Sequence, residues 1–476
     1  MTPMLRLLAT LPFLAACLVF VVRGREAEVP PALTVGIAEV DVTPKLGPKE
    51  KPVYLAGFGK GRKATGVNDP LMARAVVLQH DKTKIAIVSV DVIGLFLPFV
   101  EGVRKKLPGF THVVVTSTHN HEGPDTVGLW GAGVLSSGID KAYMARLTKG
   151  IVEAVEKADA ARVEVTAKIN TIQIPELLHD GRLPLVKHDD LVVLAFENAK
   201  TKKSAGVVVQ WNCHPETLSS KNTLLSADYV GYTVQHLRDK YRCGVVYVTG
   251  TVGGLMTSLH VPVKSEKGID LKDGTYEKTA RYGVLLGQAA VKAMDGAKPV
   301  KLTPILVRTK KLFLPLANPA YLLARQFGVL DREAFVWTGD PDKADPLPDL
   351  DSDRTPAIRT EVGYMRLGEL DIACIPGEIY PEIVLDKVQT PADPGADFPD
   401  APTEPSIYKQ LAGPHRMMIG LANDEIGYII PKRQWDQKAP FAYKRKSAQY
   451  GEINSLGPDT APLVCKAFAG LVKAKK

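Results

Sequence analysis

The strongest constraint in this chain is a β-branched apolar run that stops in a polar loop. His112-Val-Val-Val-Thr-Ser117 leads directly into Thr118-His119-Asn-His121-Glu-Gly-Pro-Asp125. A short buried run of this kind reads as an interior strand, and ligands of α/β sheets gather beyond the carboxyl ends of strands. Histidines two apart in an extended segment point the same way, so His119 and His121 can face one cation or one substrate. A solvated pair of loop histidines is the alternative, with Asp125 either orienting His121 or simply solvated.

Two further strand ends repeat the theme. Val207-Val-Val-Gln-Trp-Asn-Cys-His214-Pro215-Glu216 puts a histidine where an apolar run stops, and Pro215 ends the ladder. Nearby Asp228 reads either as a carboxylate that orients an imidazole or as a helix cap. Ile372-Ala-Cys-Ile-Pro-Gly377-Glu378 places Glu378 where a strand gives way to a helix, either facing a site or capping the helix dipole. Together the three ends offer His, His and Glu, the ingredients of an open zinc site. Asp91, at the end of Lys84–Val90, and Asp228 offer a second metal position, as a phosphoesterase would need.

Strand-like runs alternate with helical periodicity along the rest of the chain. Thr34–Val42, Ala73–Gln79, Lys84–Val90, Arg162–Ile169, Leu191–Phe196, Gly206–Trp211, Gly244–Val248, Leu302–Leu312, Ile358–Leu367 and Leu370–Cys374 read as strands. Lys141–Ala158, Val230–Tyr241, Tyr276–Met294 and Ile379–Val388 read as helices. The expected class is α/β, a large mixed-sheet, metallohydrolase-like domain with helices packed on the sheet. Gly339–Arg354, rich in Asp and Pro, reads as a surface excursion or lid. Gly250-Thr-Val-Gly-Gly254 lacks the ending of a phosphate loop and reads as pocket floor or turn.

Over 476 residues, 45% apolar and 24% charged is ordinary globular composition, which excludes disordered, collagenous and polytopic membrane classes. The net charge of +8 is scattered, with Lys444-Arg445-Lys446 the densest cluster, so no nucleic-acid partner is expected. Association with an anionic membrane surface stays open. Five dispersed cysteines without a CxxC pair argue against a disulfide framework or a thiolate zinc site. Leu7–Val22 is an apolar run between Arg6 and Arg23, short for a spanning helix and suited to an export signal. Residues 1–25 therefore read as a signal peptide or N-terminal anchor, and Leu14-Ala-Ala-Cys17 fits lipoprotein cleavage. The protein is expected to be exported, whether periplasmic, secreted or membrane-anchored, with its folded part at 33–470.

At these residues the chain resembles the neutral, non-lysosomal ceramidase family. The resemblance rests on Gly36-Ile-Ala-Glu-Val-Asp-Val-Thr-Pro44, Gly57-Phe-Gly-Lys60, Ala73-Arg-Ala-Val76, Thr118-His-Asn-His-Glu-Gly-Pro124, His214-Pro215, Pro376-Gly-Glu378, Gly420-Leu-Ala-Asn423 and Tyr450-Gly-Glu452 with Asn454-Ser-Leu-Gly-Pro458. It spans the catalytic domain and leaves no room for the family's C-terminal immunoglobulin-like domain. It implies one Zn2+ per chain held by His119, His214 and Glu378. The family's fourth ligand, a tyrosine, falls on Glu425, with Tyr428 as a substitute. His121 is implied to be catalytic. The family's serine falls on Met256 at the pocket, and its arginine falls near Thr171. The implied activity is zinc-dependent hydrolysis of a small or lipid-like amide, or an ester, by metal-activated water. The alternatives are a non-catalytic lipid-binding protein on the same scaffold and the phosphoesterase.

Overall fold

The computed structural model describes residues 31–346 and 354–474. The leader lies outside the described residues, as does 347–353 of the expected surface excursion. Its first part closes a small hairpin, Ala344–Pro346 pairing back on Phe335–Trp337.

The apolar runs form strands close to where their pattern predicts them, but they build two large sheets. The first has the order Val245–Thr249, Ser204–Trp211, Asp190–Asn198, Val163–Gln173, Thr34–Asp41, Met72–His80, Thr83–Val90, His112–Ser117, with Lys298–Val300 beside Val163–Gln173. The second joins Phe335–Trp337, Pro356–Leu367, Leu370–Cys374 and His415–Ile419, with Ile305–Pro315 also along Pro356–Leu367. Their inner faces meet in one core that mixes Val76, Ile87, Val114 and Val208 with Met365, Ile372, Met417 and Ile419. The outer face of the first sheet is covered by Lys141–Ala160 and Leu97–Arg104 at one end, and by Asp228–Tyr241 and Tyr276–Asp295 at the other. Thr460–Lys473 covers the second sheet. The result is four layers, helix–sheet–sheet–helix, in the mixed α/β class. Among the described residues no helix is long and apolar enough to cross a membrane.

Most strand pairs in the large sheets are antiparallel. Three are parallel: Thr83–Val90 with His112–Ser117, Ser204–Trp211 with Val245–Thr249, and Leu370–Cys374 with His415–Ile419. Parallel partners release their loops on the same side, so six carboxyl ends open toward one region. The Gly420–Asn423 motif ties the two sheets together there. The Asn423 amide donates to the Val115 carbonyl at 2.7 Å, Asn423 Oδ1 accepts from the Val115 amide at 3.0 Å, and Thr116 Oγ1 donates to the Gly420 carbonyl at 2.7 Å.

Candidate metal centre and its cavity

His119, His121 and His214 converge, buried, with one potential ligand atom from each lying within 4.8 Å of the others. His119 follows its strand with φ +65°, a left-handed conformation uncommon outside glycine that persists only where its surroundings enforce it. Here its Nδ1 is 2.8 Å from the Ile93 carbonyl. His214 repeats the device, with Nδ1 2.8 Å from the Met256 carbonyl. An Nδ1–H donated to a carbonyl leaves Nε2 with its lone pair free, the usual preparation of a metal-ligating imidazole. Both Nε2 atoms face one oxygen: Glu378 Oε2 is 3.0 Å from His214 and 3.3 Å from His119.

That spacing suits a shared ion. Ligands about 2.0–2.2 Å from a tetrahedral zinc stand about 3.3–3.6 Å apart, so only a small spreading is needed. Glu425 lies on the same cavity wall, with Oε1 accepting from the Gly427 amide at 2.7 Å and Oε2 buried without a partner. The electrostatics describe a cluster short of positive charge. Burial drives the Glu425 carboxyl up to about 8, aided by the charge of Glu378. Burial also acts against ionised Glu378, but His119 and His214 outweigh it and hold its carboxyl at about 2. His214 is likewise opposed by burial, and its bond to Glu378 and the charge of Glu216 raise it to about 9. A dication at this position would favour both carboxylates ionised and both imidazoles neutral. The donor set therefore fits a divalent metal.

His121 differs from its neighbours. Both ring nitrogens are buried without a hydrogen bond, and burial followed by the charges of His119, His214 and Arg62 holds its basicity well below the ordinary histidine range. Its backbone carbonyl accepts from Arg62, and its ring stands edge-on to Phe58. Glu216, the residue after Pro215, brings Oε2 to 3.3 Å from His121 Nδ1 while Oε1 accepts from Thr257 Oγ1 at 2.5 Å. Nothing in the local pattern marks Glu216 as part of the site, because it reaches His121 only through the fold.

The cavity beside these groups occupies about 930 Å³ including its open mouth. Ile93, Phe96, Leu129, Trp130, Ile358 and Leu456 give it an apolar wall, and Tyr321, Tyr428, Tyr450, Asn454, Arg325 and Arg332 add polar points. The tyrosine and asparagine of the C-terminal motif thus line it.

Several sequence expectations fall elsewhere. Met256 does not line this cavity. Its side chain is fully buried in the core behind His214, and its carbonyl is what meets the imidazole. Asp228 is buried away from the cavity, accepting from the Leu218 and Tyr229 amides. Asp91 is held by Arg74 at 2.7 Å and by the Met72 amide. With both aspartates so engaged, the two-metal reading lacks its second set of ligands. Asp125 accepts from the Val127, Gly128 and Trp130 amides and so shapes its own loop rather than His121. Thr171 is exposed on a strand. Gly253 is required where the chain crosses Ile379, since a β-carbon there would lie 2.5 Å from that backbone.

No family model matches the sequence, and no curated protein does. Solved structures do match. A neutral ceramidase from Pseudomonas aeruginosa superposes with a TM-score of 0.69 at 16% identity, over 93% of this chain and 74% of that one. The chain has the neutral ceramidase fold. A ceramidase complexed with C2 superposes with a TM-score of 0.64 at 15% identity, over 93% of this chain and 75% of that one. At such identity the likeness establishes the ceramidase-like architecture, and the chemistry has to be argued from the side chains of this chain.

Proposed function

We propose that this protein is an exported, zinc-dependent, ceramidase-like hydrolase of a lipid-like amide, with an ester as the neighbouring substrate class. The observation that carries the reading is the pair of imidazoles, His119 and His214, each tied by Nδ1 to a carbonyl and each presenting Nε2 to Glu378. Zn2+ held by His119, His214 and Glu378, with Glu425 as the fourth ligand, would supply a Lewis acid and make water acidic enough to ionise near neutral pH.

The chain supplies the rest. His121, uncharged because of its burial, accepts the proton of the attacking water on Nε2 and later gives it to the amine nitrogen as the C–N bond breaks. Glu216, whose Oε2 stands 3.3 Å from Nδ1, is the carboxylate placed to accept an Nδ1–H and so leave Nε2 as the acceptor. The Tyr428 phenol is pushed well above its ordinary range by burial and then by Glu378, so it stays protonated as a donor to the developing oxyanion. The apolar wall takes the acyl chain and excludes water. The leader motivates export.

Chelation should abolish hydrolysis of an N-acyl amide, and zinc should restore it. His119→Ala should lose both the bound metal and at least about 10³ in rate. A His119→Ala protein that hydrolyses normally would end this reading. Ligand binding without turnover in the zinc-loaded wild type would favour the non-catalytic alternative.

A further inference from the structure

The two arginines of the cavity wall are not paired alike. Besides the histidines and tyrosines, its ionisable groups are Glu378, Glu425, Arg325 and Arg332. Arg332 is matched: Nη2 donates to Asp424 Oδ2 at 2.5 Å and to the Arg359 carbonyl, Nη1 to the Glu425 carbonyl, and the guanidinium covers the Phe96 ring at 4.7 Å. Arg325 is not. Its Nε donates to the Arg332 carbonyl at 3.2 Å, and among the described residues its two terminal nitrogens have no acceptor. Arg325 is thus the arginine whose terminal nitrogens stay available to a ligand on a largely apolar wall, with or without an ion at Glu378 and Glu425.

Arg325 and Tyr321 lie one turn apart on the helix Pro319–Gln326, and both line the cavity. The Tyr321 hydroxyl is 3.3 Å from where a β-carbon on Gly427 would stand, and the Gly427 amide binds Glu425. The backbone of Arg325 thus sits about 6 Å along the helix from that of Tyr321, whose hydroxyl reaches the edge of the metal centre. Its free atoms are the two terminal nitrogens, which form the fork that takes a carboxylate in a bidentate grip.

We propose that Arg325 is an anion subsite and that the substrate is a long-chain N-acyl amino acid, an amide whose amine half carries a carboxylate. This rests on the amide-hydrolase reading. Water adds across the amide: its hydroxyl joins the acyl carbon to give the fatty acid, the C–N bond breaks, and the nitrogen takes the proton to release the amino acid. A carboxylate one carbon from the amide nitrogen lies a few ångströms from the scissile carbonyl, and Arg325 lines the same cavity as the groups that would act on that carbonyl.

Calorimetric titration of the chelator-treated full chain tests this without turnover, using N-dodecanoylglycine, the uncharged N-dodecanoylethanolamine, and dodecanoate. The wild type should bind the glycine conjugate about tenfold more tightly than the ethanolamide. Arg325→Ala should erase that preference, and Arg325→Lys should retain part of it. Equal affinities in the wild type, or a preference that survives in Arg325→Ala, would overturn the subsite. So would dodecanoate depending on Arg325 as strongly as the conjugate does, which would mark the arginine as a reader of fatty-acid heads. Zinc-loaded turnover separates the two readings. Selective binding with no hydrolysis of either amide removes the hydrolase and keeps the subsite. Equal hydrolysis without selective binding removes the subsite and keeps the hydrolase.

Discussion

Replacing Gly57 with alanine should disable catalysis while leaving the metal in place. Gly57 has φ +88°, and a β-carbon on it would stand 2.3 Å from His121 Cγ and 2.5 Å from Nδ1. Ordinary contact begins at 3.4 Å, so the imidazole must retreat by about 1 Å. It has little freedom to do so, since Arg62 holds its carbonyl and His119 and His214 flank its ring at 5.1 and 5.5 Å between centroids. A displacement of that size at a proton-transfer group costs about 10² in kcat. The left-handed backbone adds about 1–2 kcal/mol of destabilisation for a residue with a β-carbon. The assay combines steady-state kinetics on an N-acyl amide, zinc content per chain, and thermal melting. The expected result is kcat down about 100-fold with KM within about threefold, one zinc retained, and a Tm lowered by a few degrees. A folded Gly57→Ala protein with wild-type kcat would remove His121 from proton transfer. Loss of zinc together with activity would instead make His121 a ligand.

Glu216→Ala should lower kcat by about 10–100-fold at unchanged zinc content, because His121 loses the carboxylate at Nδ1; full activity would show that the contact does not orient the ring. Tyr428→Phe should cost about 10² in kcat with little change in KM if its phenol is the oxyanion donor, and unchanged kinetics would exclude that role. Glu382 is buried with Oε2 unpartnered, and burial followed by the charge of Asp180 raises its carboxyl to about 8. The folded state then holds a proton that the unfolded chain releases near pH 4.5, so this group favours the fold most below that pH and loses its contribution as pH climbs to about 8. Calorimetric melts of Glu382→Gln should match wild type near pH 5 and exceed it near pH 8 by roughly 2–5 kcal/mol; parallel pH profiles would contradict the assignment.

Local pattern carried much of the secondary structure. His112–Ser117 and Leu370–Cys374 form strands at the bounds their apolar runs predict, and Lys141–Ala160 and Tyr276–Asp295 follow their helical period. The polar residues just beyond those runs, His119, His214 and Glu378, stand together in space. Periodicity did not reveal that the strands divide between two sheets, because an apolar strand looks the same whichever sheet recruits it. It also misread Ile379–Val388: Glu378–Ile379 pairs with Tyr428–Ile429, and the helix runs only over Pro381–Leu385, opening at a proline suited to its first turn. The substitution at Met256 drew attention to a side chain, whereas the structure uses that residue's carbonyl. Glu216 and Arg325 carried no readable signal, since each gains meaning only from residues about 95 positions or more away in sequence, His121 for one and Glu425 with Gly427 for the other.

The provenance of the three principal donors has a consequence for how this protein can be divided. His119 and His214 are delivered by strands of one sheet and Glu378 by a strand of the other. An ion bound among them would act as a rivet between halves that are also joined by side-chain packing, by the Asn423 stitch and by ion pairs such as Arg104–Glu361 and Arg359–Glu101. Neither half, expressed alone, would carry a complete coordination set. Fragments that regained zinc would have to reassemble first, which makes metal uptake a direct reporter of sheet-on-sheet docking.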